Sequence, residues 1–140
     1  MNLGVNTQTQ EISRKIEIYL FNEDLPLFKN PIKDKFAVLF PVLKPEIEDE
    51  KIIWFSKKMI DFGCIEFCIV GLDSERIHDL IDDVIVEKEM LDIVTTWHDV
   101  LDEACDYFLN CAGGGTCHLI AFARDSTQFQ ILTTTLLQSS

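Results

Sequence analysis

Strands and helices alternate along this chain, which predicts an α/β domain on a mostly parallel sheet of about four to five strands with helices packed on it. Three observations carry the prediction. Short apolar runs recur at Phe36–Phe40, Cys64–Val70, Met90–Trp97 and His118–Ala123. The stretches between them repeat their apolar residues at helical spacing, and turn or cap residues stand at the joins. Continuous apolar runs mark strands covered on both faces, as parallel sheets require.

The first element is Arg14–Phe21, which alternates polar and apolar residues like a half-buried strand. Asn22, Glu23, Asp24, Pro26 and Pro31 mark a loop. Phe36–Phe40 is a covered strand that Pro41 should end. Lys44, Pro45 and Glu46 then open a helix, because proline suits a first turn and acids favour the positive end of the helix dipole. Ile47, Ile52, Phe55, Met59 and Ile60 form its apolar stripe, and Gly63 is its expected C-cap.

A second covered strand follows at Cys64–Val70 and ends in Gly71. Asp73 and Ser74 can cap a helix with its stripe at Ile77, Leu80, Ile81 and Val84. Met90–Trp97 reads as a third buried strand, with Asp99 as N-cap of a helix striped by Val100, Leu101, Ala104, Cys105, Phe108 and Leu109. Gly113, Gly114 and Gly115 terminate it before the fourth covered strand, His118–Ala123. The pattern over Ser126–Leu137 is helical, although Thr133, Thr134 and Thr135 also suit a strand. Right-handed crossovers between such units give a three-layer, Rossmann-like or flavodoxin-like domain. It is expected to occupy residues 1–140 as one unit, with residues 1–12 a polar lead-in free to fray.

Composition narrows the function classes. The chain is 47% hydrophobic, enough for a core without a metal or disulfide staple. Its net charge of −12 is uneven. Residues 1–44 hold five acids and six bases, residues 45–106 eighteen acids and five bases, and residues 107–140 one of each. The middle of the chain therefore carries all of the excess. Phosphate binding needs clustered Lys and Arg, so nucleic acid and anionic membrane are poor partners and a basic protein is the natural complement. No apolar run reaches the roughly 20 residues that span a bilayer, and the N-terminus lacks the basic start and apolar core of a signal peptide. A cytoplasmic location is expected, with the five cysteines reduced and mostly serving as small apolar core residues.

Ligands of open parallel sheets bind outside the carboxyl ends of the strands. That rule selects Pro41 and Lys44, then Asp73, Ser74 and Glu75, then Thr95, Thr96, Trp97, His98 and Asp99, and finally Arg124, Asp125 and Ser126. His98 beside Asp99 has the chemistry of a general acid or base near neutral pH. Trp97 offers a stacking face or an interface anchor, and Arg124 a fixed charge for a carboxylate or phosphate. Each also has a structural explanation: a covered sheet edge, a capped helix, a local ion pair. The glycine run between Cys111 and His118 lacks the lysine of a phosphate loop and runs from helix to strand, the wrong order for one. Cys105, Cys111, Cys117 and His118 lack the close knuckle spacing of structural zinc sites. No metal or cofactor is expected, and no catalytic residue stands out; an enzyme is not favoured.

Ile93, Val94, Thr95, Thr96, Trp97, His98 and Asp99, followed by Leu101, Asp102, Glu103, Ala104 and Phe108, resemble a motif of an uncharacterised family of small bacterial α/β domain proteins. In that family a Thr-Thr-Trp-His strand end precedes an acidic helix with Leu-x-Glu-Ala. The resemblance covers about half of the chain, including Phe36 to Cys64 more loosely. It implies the α/β fold and no established activity.

Two functional expectations follow. The first is a small acidic interaction domain, an inhibitor or immunity-type partner of a basic protein, with Glu48, Asp49, Asp102 and Glu103 on its interaction surface and Trp54 or Trp97 exposed. The alternative is a small-molecule or nucleotide-binding domain, a weak enzyme at most, with a strand-end cleft formed by Asp73, Thr96, Trp97, His98, Asp99 and Arg124. The apolar C-terminal segment leaves homo-oligomerisation open.

Overall fold

The computed structural model describes residues 5–6, 16–20, 35–42 and 47–139. The strands are β1 (Val5–Asn6), β2 (Ile16–Leu20), β3 (Phe36–Val42), β4 (Cys64–Gly71), β5 (Val94–His98) and β6 (His118–Ala123). They form one sheet in the order β1-β2-β6-β3-β4-β5. From β2 to β5 all neighbours are parallel, and β1 is antiparallel through Val5 opposite Tyr19 and Asn6 opposite Ile18. The last strand thus inserts between the first two parallel ones. The helices are α1 (Asp49–Phe62), α2 (Ser74–Glu87), α3 (Leu101–Asn110) and α4 (Ser126–Ser139).

The period-2 alternation of strand side chains makes this a three-layer domain. Phe36, Val38, Phe40, Phe67, Ile69 and Phe122 point to one face and bury Ile52, Phe55 and Met59 of α1 and Ile77, Ile81 and Val84 of α2. Ala37, Leu39, Cys68, Val70, Leu119 and Ala121 point to the other and cover Ala104, Cys105 and Phe108 of α3 and Leu132 and Leu136 of α4. On the first face, Phe55 stacks on Phe40 at 4.8 Å and meets Phe122 edge-on at 5.1 Å. Each such pair contributes about 0.5–1.5 kcal/mol beyond burial.

Several local expectations are corrected. Pro41 does not end its strand: β3 continues to Val42, with Pro41 opposite Val70. Its pairing with β6 stops at Leu39, so the missing N–H breaks no ladder bond on that side. The first helix starts at Asp49 with Glu48 in the N-cap position, not around Pro45; Lys44 and Pro45 lie outside the described residues. Gly63 is the left-handed C-cap as expected, at φ 110°. Asp99 is exposed and does not cap α3, whose N-cap position is held by Val100 without a side-chain bond. The expected third buried strand is shorter and stands at the sheet edge.

The C-terminal segment is a helix. Asp125 Oδ1 accepts from the backbone N–H of Gln128 (2.8 Å), and Gln128 Oε1 accepts from the N–H of Arg124 (2.8 Å). This reciprocal cap satisfies two donors at the helix start. Thr133 and Thr135 donate their hydroxyls to the carbonyls of Phe129 and Ile131, both at 2.8 Å, which lets threonines sit inside a helix.

Candidate functional site

Chain connections diverge at two places along the carboxyl ends of the strands. One lies between β6 and β3, the other between β4 and β5, where β4 leads to α2 on one face and β5 to α3 on the other. The second brings together Asp73 at the start of α2 and His98 and Asp99 at the end of β5. Arg124 does not join them. It follows β6, three strands from β5, or roughly 14 Å across the sheet at ordinary strand spacing.

The grouped residues are differently employed from what their types suggested. Asp73 binds Arg76, whose Nε and Nη2 lie 2.8 and 2.7 Å from one carboxylate oxygen. Arg76 also pairs with Asp49 and reaches the carbonyl of Ile47 at 3.4 Å, tying the starts of α1 and α2 together. His98 Nδ1 is buried without a hydrogen-bond partner, so Asp99 does not orient the imidazole through that nitrogen. The His98 ring lies 5.4 Å from that of Tyr107. Thr96 turns to the α3 face and donates to Glu66 at 3.3 Å, while Thr95 turns to the α2 face and donates to Asp82 at 2.5 Å. Trp97 is 39% exposed and Trp54 is also exposed.

Of the four surface carboxylates, Glu48 and Asp49 stand at the start of α1 and Asp102 and Glu103 at the start of α3. They share the carboxyl end of the sheet but flank opposite faces of it. All four are exposed, and Asp49 is the one engaged by Arg76.

The most organised polar group is one that sequence reasoning passed over. Glu66, the lone charge in β4, is only 4% exposed. Its Oε2 accepts from the Tyr107 hydroxyl at 2.6 Å, from Thr96 at 3.3 Å and from the Cys68 thiol at 3.7 Å, and its Oε1 accepts from the N–H of Gly113 at 2.9 Å. One carboxylate thus joins β4, the edge strand, α3 and the glycine turn at Ala112–Gly115. The glycine run has a matching reason. Gly113 sits at φ +62°, and a Cβ there would lie 2.1 Å from the Cys117 sulfur. A charged residue inside an apolar run was the available signal, since a buried carboxylate requires partners.

Burial, followed by the hydrogen bond to Glu66, pushes the Tyr107 phenol above its ordinary range. Burial also raises the thiols of Cys64 and Cys68, and pushes Cys105 up to about 12 with a smaller contribution from Asp102. These three cysteines are poor nucleophiles. Among the described residues, the one grouping of possible metal ligands is His78, Asp79 and Asp82 on α2, with ligand atoms within 4.8 Å. His78 Nδ1 is 3.2 Å from Asp79, and Asp82 accepts from Thr95, so local bonds account for the grouping. Cys105, Cys111, Cys117 and His118 do not gather in this way.

The family model for the domain of unknown function DUF7684 matches residues 19–136. The chain belongs to that family. This agrees with the expected membership of an uncharacterised domain family. No curated protein matches the sequence. Among solved structures, the chain is similar to the crystal structure of a murein peptide ligase from Psychrobacter arcticus, with a TM-score of 0.54 and 9% identity. The match covers 96% of this chain and 29% of the ligase, so the chain corresponds to under a third of that protein. At this identity the likeness speaks for the α/β fold alone. No helix among the described residues is long and apolar enough to cross a membrane.

Proposed function

We propose that this domain is a small acidic interaction module that works in the cytoplasm by binding a basic protein, in the manner of an inhibitor or immunity-type partner. The observation that carries the reading is the surface beside β5. Leu72 (87% exposed), Trp97 and Val100 (50% exposed) lie at or just beyond the carboxyl ends of β4 and β5, the end of the sheet where Asp73, Asp99, Asp102 and Glu103 also stand. An exposed aromatic and aliphatic patch rimmed by charge is the usual form of a protein-binding surface. The excess of carboxylates supplies long-range attraction for a basic partner and speeds its encounter. Five free cysteines accord with a reducing compartment.

The test is capture on the immobilised chain from the source organism's lysate, washed first at low and then at high salt. The reading expects a basic protein held at low salt and released at high salt. Retention of a small molecule with no protein would overturn it.

One observation favours the alternative, a small-molecule or nucleotide site at the strand ends. The buried, unpartnered Nδ1 of His98 is a polar atom that a bound ligand would satisfy. On that reading His98→Ala abolishes ligand binding and leaves the fold intact. Binding that survives the substitution removes His98 from the site.

A further inference from the structure

The interaction reading leaves open which element receives the partner, and the sheet topology narrows it. β5 is an edge strand, paired with β4 and with no neighbour on its other side among the described residues. An edge presents a row of backbone donors and acceptors ready to pair with another chain. Proteins usually blunt such edges with lysine, proline or a bulge. β5 reads Val94, Thr95, Thr96, Trp97 and His98, with none of these devices, and pairs with β4 in unbroken register from Glu66–Val94 to Val70–His98. Val94 (48% exposed) and Trp97 are open along it, and Leu91 and Val100 extend the apolar margin at either end.

The surroundings specify the occupant. Residues 72–110, which comprise β5 with its flanking α2 and α3, hold twelve carboxylates against two bases. Both bases are already engaged, Arg76 by Asp73 and Asp49 and Lys88 by Asp61 at 3.1 Å. A strand laid beside β5 would send alternate side chains toward acidic α2 and acidic α3. A second copy of this chain would bring the same excess of carboxylates to the same edge, and like charges oppose that pairing.

We infer that β5 is the docking edge for an extended, lysine- or arginine-rich segment of the partner protein, which adds to the sheet as a further strand. The inference rests on the interaction reading above and adds the element and the partner's local conformation. Backbone bonds supply affinity in this mode, and alternate side chains supply specificity. Glu66 supports the device from behind, because its bond to Thr96 anchors the edge strand to α3 and the glycine turn at Ala112–Gly115.

The test uses the full chain and a synthetic peptide of about ten residues that alternates lysine with valine or threonine, long enough to span β5. A glutamate-for-lysine version is the control. Amide hydrogen exchange is read residue by residue. The expected result is slower exchange at residues 94–98 with the basic peptide and none with the control. Val94→Lys with Trp97→Lys, at positions 48% and 39% exposed, should weaken binding about tenfold or more while circular dichroism shows the fold retained at the assay temperature.

Salt-sensitive binding of the basic peptide without protection at residues 94–98 overturns the edge assignment and leaves the basic-partner reading standing. Equal affinity for the two peptides overturns the basic-partner reading itself. Concentration-dependent dimerisation that the two lysine substitutions abolish gives the edge to a second copy and also overturns the inference.

Discussion

Replacing Glu66 by alanine removes the acceptor shared by four donors. Two of those bonds are short, from Tyr107 at 2.6 Å and Gly113 at 2.9 Å, and two are long, from Thr96 at 3.3 Å and Cys68 at 3.7 Å. A buried donor left without an acceptor costs about 1–3 kcal/mol. The two short bonds therefore set a range of about 2–6 kcal/mol. Tyr107 and Gly113 are only partly buried, and removing the carboxylate recovers part of its desolvation cost, so the expected loss is about 2–4 kcal/mol.

For a domain of this length that corresponds to a fall in Tm of roughly 10 °C. Glu66→Gln keeps one acceptor oxygen but sets an amide N–H against a donor, and should cost about half as much. Urea unfolding followed by circular dichroism measures both variants. A double-mutant cycle of Glu66→Gln with Tyr107→Phe should return a coupling of about 1–2 kcal/mol. A loss under about 0.5 kcal/mol for Glu66→Ala, the level of an ordinary surface change, would mean that the carboxylate is solvated and its four bonds idle.

Three further outcomes are expected. Gly113→Ala places its Cβ on the Cys117 sulfur and strains a left-handed backbone, lowering stability by about 2–3 kcal/mol. Adding Cys117→Ala should restore only part of this, and full recovery in thermal melts would show that the backbone carries no strain. Stability should also fall as pH rises above 9, the ordinary thiol value. The unfolded thiols and the Tyr107 phenol ionise first while the folded chain keeps those protons, so the unfolded state binds fewer protons and ΔG of unfolding declines toward pH 12. Cys105→Ala should flatten that decline, and urea midpoints that hold constant from pH 8 to 11 would contradict it. His98→Ala should leave the free energy of unfolding within about 1 kcal/mol of the parent in urea titrations, because the Nδ1 bond it would remove does not exist.

The layers were legible because burial on both faces writes itself into continuous apolar runs. Phe36–Phe40, Cys64–Val70 and His118–Ala123 are central strands, and the helical stripes between them face the sheet. Strand order was not legible. The insertion of β6 between β2 and β3 depends on long-range packing that no local pattern encodes, and with it went the position of Arg124. The start of α2 was legible, with Asp73 in its N-cap position although its carboxylate binds Arg76 instead of a backbone N–H, whereas α1 and α3 start later than Pro45 and Asp99 suggested. Residues 90–97 looked as apolar as a central strand, and its exposed Val94 and Trp97 show that apolar character can also mark an open edge. Glu66 was visible as a charge out of place, but its four donors come from residues up to 47 positions away.

The association rate with the basic protein retained in the capture experiment tests the interaction claim most directly. It is to be measured at low and high ionic strength for the parent chain and for a variant reversed at Glu48, Asp49, Asp102 and Glu103. The parent rate should fall about tenfold or more as salt screens the surface, and the variant should already be slow at low salt. Equal rates for both chains at low salt would contradict the interaction claim, since the carboxylates would then take no part in bringing the partner in.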